Sequence, residues 1–493
     1  MAAETEARDI KEDLASTKET DEEDKLSNLP NVILSSILER LQLHEAARTS
    51  ILSRGWRHLF GSRSQVFIDV DAFHCKDDKG SMLAPGDLAQ RNACVVEATK
   101  SMLAQSSHQY PINLLSIRFH LVEESISVIC SVDGALANRK IIDAMHFVIL
   151  PKGQDGPRTD DELVTNGTRF MRFVNAGPHA FASLTYLHIY CLMLSIDDVA
   201  NVLSTCKKLE HLFLNSCKCG IESVLQIEHP QLITLEFSGC VFEKIELTWL
   251  PSLKCFIYWR WRLSLPQDQY PFSLGYVPQL STLKLTNQAS TLHKTIRLSE
   301  LLGNATISSL DMDFECQRIW IELEAPKVLG PLFQNLQIHS LQCIHEERDL
   351  DWTIFFLEVA PLLKQIFIKV WDHSCDNFEE EWQDMYQRGH DLPTWEAPAD
   401  LKHYNLKVLI IKGYQVEEKF TRYIRRVVEA AVNLEEIVLM HSGSCEYCQC
   451  SPSTRYPRTQ EDRLQIREQI LEWRSSPIKV GFELLDRRPS PAK

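Results

Sequence analysis

No run in this 493-residue chain approaches the length of a transmembrane helix. It has no glycine-rich phosphate loop, no nucleophile elbow and no His-Glu-x-x-His pair, so phosphoryl transfer, hydrolase and zinc-protease chemistries lack their signatures. Positive charge is in short supply: 52 Lys and Arg face 67 Asp and Glu, a formal net charge of −15. That balance argues against a general nucleic-acid surface, which needs a basic face. Met1 to Lys25 lacks the apolar core of a signal peptide and is rich in Glu, Asp, Lys and Thr, so it reads as a solvated, disordered tail. The 15 cysteines, scattered and without a secretory signal, are expected to be reduced and mostly buried in a cytoplasmic or nuclear protein. Asn166-Gly167-Thr168 and Asn304-Ala305-Thr306 then read as chance sequons.

What is present begins at Leu29. The stretch LPNVILSSILERLQLHEAARTSILSRGWRHLF, Leu29 to Phe60, reads as three short helices. Asn28 is a candidate N-cap with Pro30 in the first turn. Ile33, Leu34, Ile37, Leu38 and Leu41 make a broad apolar stripe on the first helix. Glu45 to Leu52 forms the second, and Ser53 caps a third that carries Trp56, Leu59 and Phe60. So short a bundle holds more large apolar groups than it can bury, which predicts a partner.

The Leu-Pro start, the Ile37-Leu38 pair and the EAARTS-x-LS-x-x-W-R-x-L run resemble an F-box of the form found in plants. Val32, Gln42 and Gly55 depart from residues common in that family (acidic, proline and basic respectively), and none removes an expected anchor. The resemblance implies docking onto a Skp-type adaptor and, through it, a cullin scaffold. The residues expected at that contact are Leu29, Pro30, Ile33, Leu34, Ile37, Leu38, Leu41, Ile51, Leu52 and Trp56.

Val66 to Val70 reads as a strand and Asp87 to Gln105 as a helix. From Ile112 a Leu-x-x-Leu-x-Leu pattern sets in, the strand signature of leucine-rich repeats. Its clearest copies are anchored at Leu184, Leu209, Leu232 and Leu280. Looser copies start at Leu114, Ala144, Leu253, Ile307, Phe333, Leu363, Leu406 and Leu434. Anchors from 184 to 333 step by 25, 23, 21, 27, 27 and 26 residues, one strand and one return segment per repeat. Cys217 and Cys240 each fall eight residues after their anchor, where such repeats use Asn or Cys to bond loop backbone. The expected fold is α/β: a helical F-box, then a curved solenoid with a parallel sheet on its concave face.

Strand alternation sends the Leu positions into the core and the residues between them to the concave surface. Candidate substrate contacts there are Tyr186, His188, Tyr190, His211 and Phe213, followed by Thr234, Glu236 and Ser238. Thr282, Lys284 and Thr286, then Ser309, Asp311 and Asp313, continue the face. Trp259 and Trp261 lie in a Tyr-Trp-Arg-Trp-Arg run of ambiguous register, either surface anchors or packing residues. The acidic insertion Asp372 to Asp400, with Trp382 and Trp395, reads as a flexible loop. His403 to Cys450 resembles the FBD segment that accompanies plant proteins of this kind, which implies a closing strand–helix–strand unit. Gln460 to Arg474 reads as a last helix. Cys445, Cys448 and Cys450 with His441 have metal-ligand character, but no second paired knuckle accompanies them. They are taken as loop thiols, with no metal and no cofactor expected.

These readings divide the chain into a tail (1–25), an F-box (26–62), a linker strand and helix (63–111), repeats (112–402), FBD-like closing repeats (403–450) and a terminal helix and tail (451–493). The function they imply is non-catalytic: a substrate receptor of a Skp–cullin–F-box ubiquitin ligase, holding an unknown protein substrate, with neither nucleic acid nor membrane as partner. A receptor whose repeats bind a small molecule and a scaffold acting outside a ligase are the alternatives.

Overall fold

The computed structural model describes residues 29–41, 43–73, 85–105, 111–138, 142–152, 158–220, 224–261, 270–287, 295–315, 319–346, 348–371, 395, 398, 400–443, 455–472 and 478–483. The expected N-terminal tail, Asn28, Trp382 and the Cys445-Cys448-Cys450 cluster lie outside them.

Three helices come first among the described residues: α1 (Asn31–Arg40), α2 (Leu43–Thr49) and α3 (Arg54–Gly61). Pro30 occupies the N-cap position of α1 with φ −56° and ψ 141°, one residue outside the turn where the sequence placed it. Ser53 caps α3 as expected, its hydroxyl accepting from the Trp56 N–H. α2 ends at Thr49 rather than Leu52, so Ile51 and Leu52 sit in the turn before α3. A longer helix, α4 (Pro85–Gln105), follows the first strand.

Fourteen strands form one sheet in chain order, every neighbouring pair parallel. They are β1 (Gln65–Asp69), β2 (Ile112–His120), β3 (Ile142–Leu150), β4 (Tyr186–Tyr190), β5 (His211–Asn215), β6 (Thr234–Ser238) and β7 (Cys255–Trp261). The second half comprises β8 (Thr282–Asn287), β9 (Ser309–Asp313), β10 (Ile338–His345), β11 (Gln365–Trp371), β12 (Val408–Lys412), β13 (Glu436–Met440) and β14 (Lys479–Glu483). A parallel sheet in strict chain order requires a return across the same face after every strand, the solenoid connectivity of leucine-rich repeats.

The returns differ in form with the residues available. Helices Asp160–Ala176, Ile196–Thr205, Pro326–Phe333 and Glu418–Ala430 fill long ones. Thr159 and Ser195 start the first two with capping boxes closed by Glu162 and Asp198. The steps of 23, 21 and 27 residues between Leu209 and Leu280 return as strands instead, an extended residue covering about 3.3 Å where a helical one covers about 1.5 Å. Val224–Glu228, Lys244–Trp249 and Phe272–Tyr276 form a second, three-stranded sheet there.

Leu184, Leu187 and Ile189, and their counterparts in most repeats, are buried in one continuous core. A seam of rings runs through its middle, Phe237 on Tyr258, Tyr258 on Trp261, Trp261 on Trp320 and Phe314 on Trp352. Cys240 donates its thiol hydrogen to the Leu214 carbonyl at 3.2 Å, and Cys217 lies 3.4 Å from that of Asn215, so both bond loop backbone from within.

Three register expectations are corrected. In the repeat anchored at Phe333, Ile338 is exposed, and Leu336, His339 and Leu341 fill the core row instead. In β2, Ile112 and Leu115 point inward while Leu114 is half-buried. Trp261 is buried rather than surface-facing, because Arg260 adopts φ +56° and turns the chain by one position. Beyond the expected last helix, observed as Gln460–Leu471, β14 adds a closing strand, with Val480 buried.

Candidate functional site

Two surfaces stand out. On the N-terminal module Leu34, Leu38, Ala46, Trp56, Leu59 and Phe60 are buried. Leu34, Leu38 and Trp56 were expected at the partner contact; their burial makes them the residues that hold the three helices together. Leu29, Ile37 and Leu41 are half-buried, and Pro30 is exposed. Ile33, Ile51 and Leu52 project 46%, 79% and 59% of their surface into solvent, and Val32 joins them at 81%. The apolar surplus foreseen in the sequence is therefore real and concentrated on four exposed side chains and one proline. A cleft of about 790 Å³ lies between this module and α4, with Arg54, Arg57 and His58 on its wall and Phe60, Ala98 and Met102 among its apolar residues.

The second surface is the open face of the sheet. Strand register lines up Arg118, Val148, His188, Phe213, Glu236, Ile257, Lys284 and Asp311 in a single transverse row from β2 to β9. The neighbouring row carries His146, Tyr186 and His211. These side chains make an aromatic patch. Tyr186 lies 5.0 Å from His146 and 4.9 Å from Phe213, and His188 stacks on Tyr190 at 4.2 Å between ring centres. His188 is also 5.3 Å from Phe213. Tyr186, His188, Tyr190, His211 and Phe213 are thus brought together as the sequence placed them, and Trp259 is half-buried beside Ser238. Trp261 is withdrawn into the core.

Burial, with the Arg118 cation adding to it, holds His188 down to about 4, and burial lowers His146 and His211 as well. The patch is therefore uncharged at neutral pH. Next to it the chemistry changes. Burial raises Glu236 and pushes Asp311 up to about 6, with Lys284 opposing both shifts. His146 is not among the residues expected on this face, though its place before Phe147 in the Ala144 copy puts it there by the same alternation.

Among the described residues no cluster of three or more His, Cys, Asp or Glu could hold a metal ion, and no helix is long and apolar enough to cross a membrane. Trp395, in the expected loop, packs on Phe355 and donates its Nε1 hydrogen to Glu358 at 3.0 Å.

A three-helix module with an exposed apolar face, joined to a leucine-rich-repeat sheet, defines an F-box/repeat architecture. Comparison with known families agrees. The F-box domain matches residues 26–66, and the leucine-rich repeats of the FBD-associated F-box protein At5g56370 match residues 162–368. F-box/LRR-repeat protein At3g03360 of Arabidopsis thaliana is 22% identical over 438 residues, 85% of each chain. F-box/FBD/LRR-repeat protein At5g22660 of the same plant is 47% identical over 51 residues, 10% of this chain and 11% of its own. The MEIOTIC F-BOX protein MOF of Oryza sativa subsp. japonica is 47% identical over 50 residues, 10% of each. The chain carries an F-box followed by leucine-rich repeats of the FBD-associated type, and it is similar to plant F-box/LRR-repeat proteins.

Proposed function

We propose that this chain is the substrate-recognition subunit of a Skp–cullin–F-box ubiquitin ligase in the cytoplasm or nucleus, its F-box docking on a Skp-type adaptor and its sheet face holding a protein to be ubiquitinated. The observation that carries this reading is the exposed apolar set Pro30, Ile33, Ile51 and Leu52 on a module that matches the F-box domain. Each large apolar side chain covered by a partner contributes roughly 1.5–3 kcal/mol. The receptor needs no catalytic group of its own. Holding a substrate near a charged conjugating enzyme raises the effective concentration of its lysines, and the chemistry belongs to that enzyme.

Co-expression with a Skp-type adaptor and a cullin tests the proposal. The expected result is a co-purifying complex with higher yield and monodispersity than the chain alone, lost when Leu29 and Pro30 are replaced by Ala. Equal behaviour with and without the adaptor, or an adaptor complex that fails to recruit the cullin, would count against it.

A further inference from the structure

Resting on the receptor reading, we infer that the sheet face selects a protein segment in which an aromatic side chain is followed, a few residues on, by lysine or arginine. The aromatic residue lies on Tyr186 and Phe213, and the cation reaches Asp311, with Glu236 adding negative charge along the way. The first support is the row itself. Phe213 of β5 neighbours Glu236 of β6, and two and three strands further on Lys284 and Asp311 stand side by side. Strands about 4.8 Å apart put Phe213 and Asp311 roughly 19 Å apart across four steps, the span of about six extended residues.

Charge supplies the second support. Among the described residues, Glu236, Asp311 and Asp313 share this stretch of the face with one cation, Lys284, and no ion pair within 4.0 Å joins Lys284 to any of them. The nearby Arg260 is committed to Glu315, Nε to Oε1, at 2.7 Å. Three carboxylates against one ammonium leave the face short of positive charge, and the formal net charge of −15 draws a basic partner toward it.

The third support is unmet hydrogen bonding. The Asp311 Oδ1 atom is buried with no partner, and Gln342, beside it, donates to the Ser340 hydroxyl at 2.7 Å. Thr286, 1% exposed and two residues beyond Lys284 on the same side of β8, has a hydroxyl with no partner either, and it stands opposite Asp313. Buried acceptors left without donors are costly, and an ammonium or guanidinium group supplies three to five donors. Burial disfavours the charged form of both carboxylates, the cause of their upward titration, and a cation placed beside them offsets that cost.

The test uses the full chain co-purified with its adaptor, and biotinylated nonapeptides carrying an N-terminal tyrosine with arginine, alanine or glutamate placed a few residues on. The arginine peptides are expected to bind about tenfold or more tighter than the glutamate ones, a preference that weakens at high salt. Glu236→Gln with Asp311→Asn should reduce the preference to about threefold or less, and Tyr186→Ala should weaken every arginine peptide. Lys284→Met removes the competing cation and should tighten arginine peptides by a few-fold, about 0.5–1 kcal/mol by the affinity relation, an effect no misfolded variant would mimic. Binding without charge preference, or a preference that survives the double substitution, overturns this inference alone. No binding of any peptide, with adaptor binding intact, overturns the receptor reading of this face as well.

Discussion

His339 of β10 stands in the core row directly opposite Leu310 of β9, its Nδ1 3.2 Å from the Leu310 carbonyl oxygen and its ring 4.0 Å from that of Phe356. Every neighbouring repeat places an aliphatic or aromatic residue there: Leu310, Ile366, Leu409. The imidazole is fully buried and its Nε2 has no partner.

Burial therefore keeps His339 neutral and drops its pKa from 6.5 to about 4. The unfolded chain binds the proton first, so stability is complete above about pH 6.5 and declines as pH falls toward 4. At pH 5 this one group accounts for a loss on the order of 2 kcal/mol. His339→Leu should flatten that decline relative to the native chain. Denaturant midpoints measured at pH 7 and pH 5 decide it, and parallel pH responses in the two proteins would refute the assignment.

His339 also marks where sequence reading stops. Leu184, Leu187 and Ile189 were legible as core because two aliphatic neighbours and a fixed period left no other register. At Phe333, a second apolar residue three positions before Leu336 offered an equally good anchor, and a histidine in a Leu position hid the true one. Trp261 was ambiguous for a different reason, since its inward turn depends on the left-handed Arg260, which side-chain chemistry does not announce. β14 escaped notice because only Val480 of its five residues is buried, too short an alternation to read alone. For the candidate sites, the sequence singled out the apolar residues of the F-box as a group. Which of them face outward depends on how three helices cross, and only the structure separates Trp56 from Ile51.

Just past the strands, or at irregularities within them, a left-handed residue recurs: Cys191, Ser216, Gly239, Arg260, Glu315 and Cys343 all have φ between 46° and 60°. Gly239 alone of these is a glycine, and a Cβ there would meet only the Ser216 hydroxyl at 3.6 Å. The cost of Gly239→Ala is thus conformational, about 1 kcal/mol. Gly134 gives the opposite sign. It is exposed in the helix Ile126–Ala137 with nothing near its missing Cβ, so Gly134→Ala should stabilise by roughly 0.5–1 kcal/mol. Thermal unfolding of both variants checks the pair, and a shift in the same direction for both would contradict the turn geometry.

The thiols should sort by burial. Cys94 and Cys130 are exposed, whereas Cys206, Cys217, Cys219 and Cys240 are buried. Burial pushes Cys206 and Cys219 up to about 12, far from the thiolate form that reacts. An aromatic disulfide reagent added to the native chain should label Cys94 and Cys130 rapidly and the buried four only after unfolding, as peptide mapping would show. Rapid labelling of Cys217 or Cys240 in the folded protein would mean that the turn contacts to Asn215 and Leu214 are absent.

The F-box offers a separation of stability from binding. Ile51 and Leu52 lie in the turn after α2 with most of their surface in solvent, while Trp56, 2% exposed, packs inside the same module. Removing a buried Trp costs about 3–5 kcal/mol, enough to unfold so small a bundle. Removing an exposed Ile or Leu costs the free chain almost nothing, and in a complex it forfeits roughly 1.5–3 kcal/mol of burial for each residue the adaptor covers. Since 1.4 kcal/mol is a factor of ten, Ile51→Ser with Leu52→Ser should lower adaptor affinity by about tenfold or more. The same variant should keep its helical circular dichroism and gain solubility when expressed alone, because it removes an apolar patch. Trp56→Ala should lose adaptor binding together with the thermal transition of the module. If Ile51→Ser with Leu52→Ser bound the adaptor as well as the native chain, the exposed turn would not be the docking surface. A retained transition in Trp56→Ala would show that its packing is not what holds the three helices together.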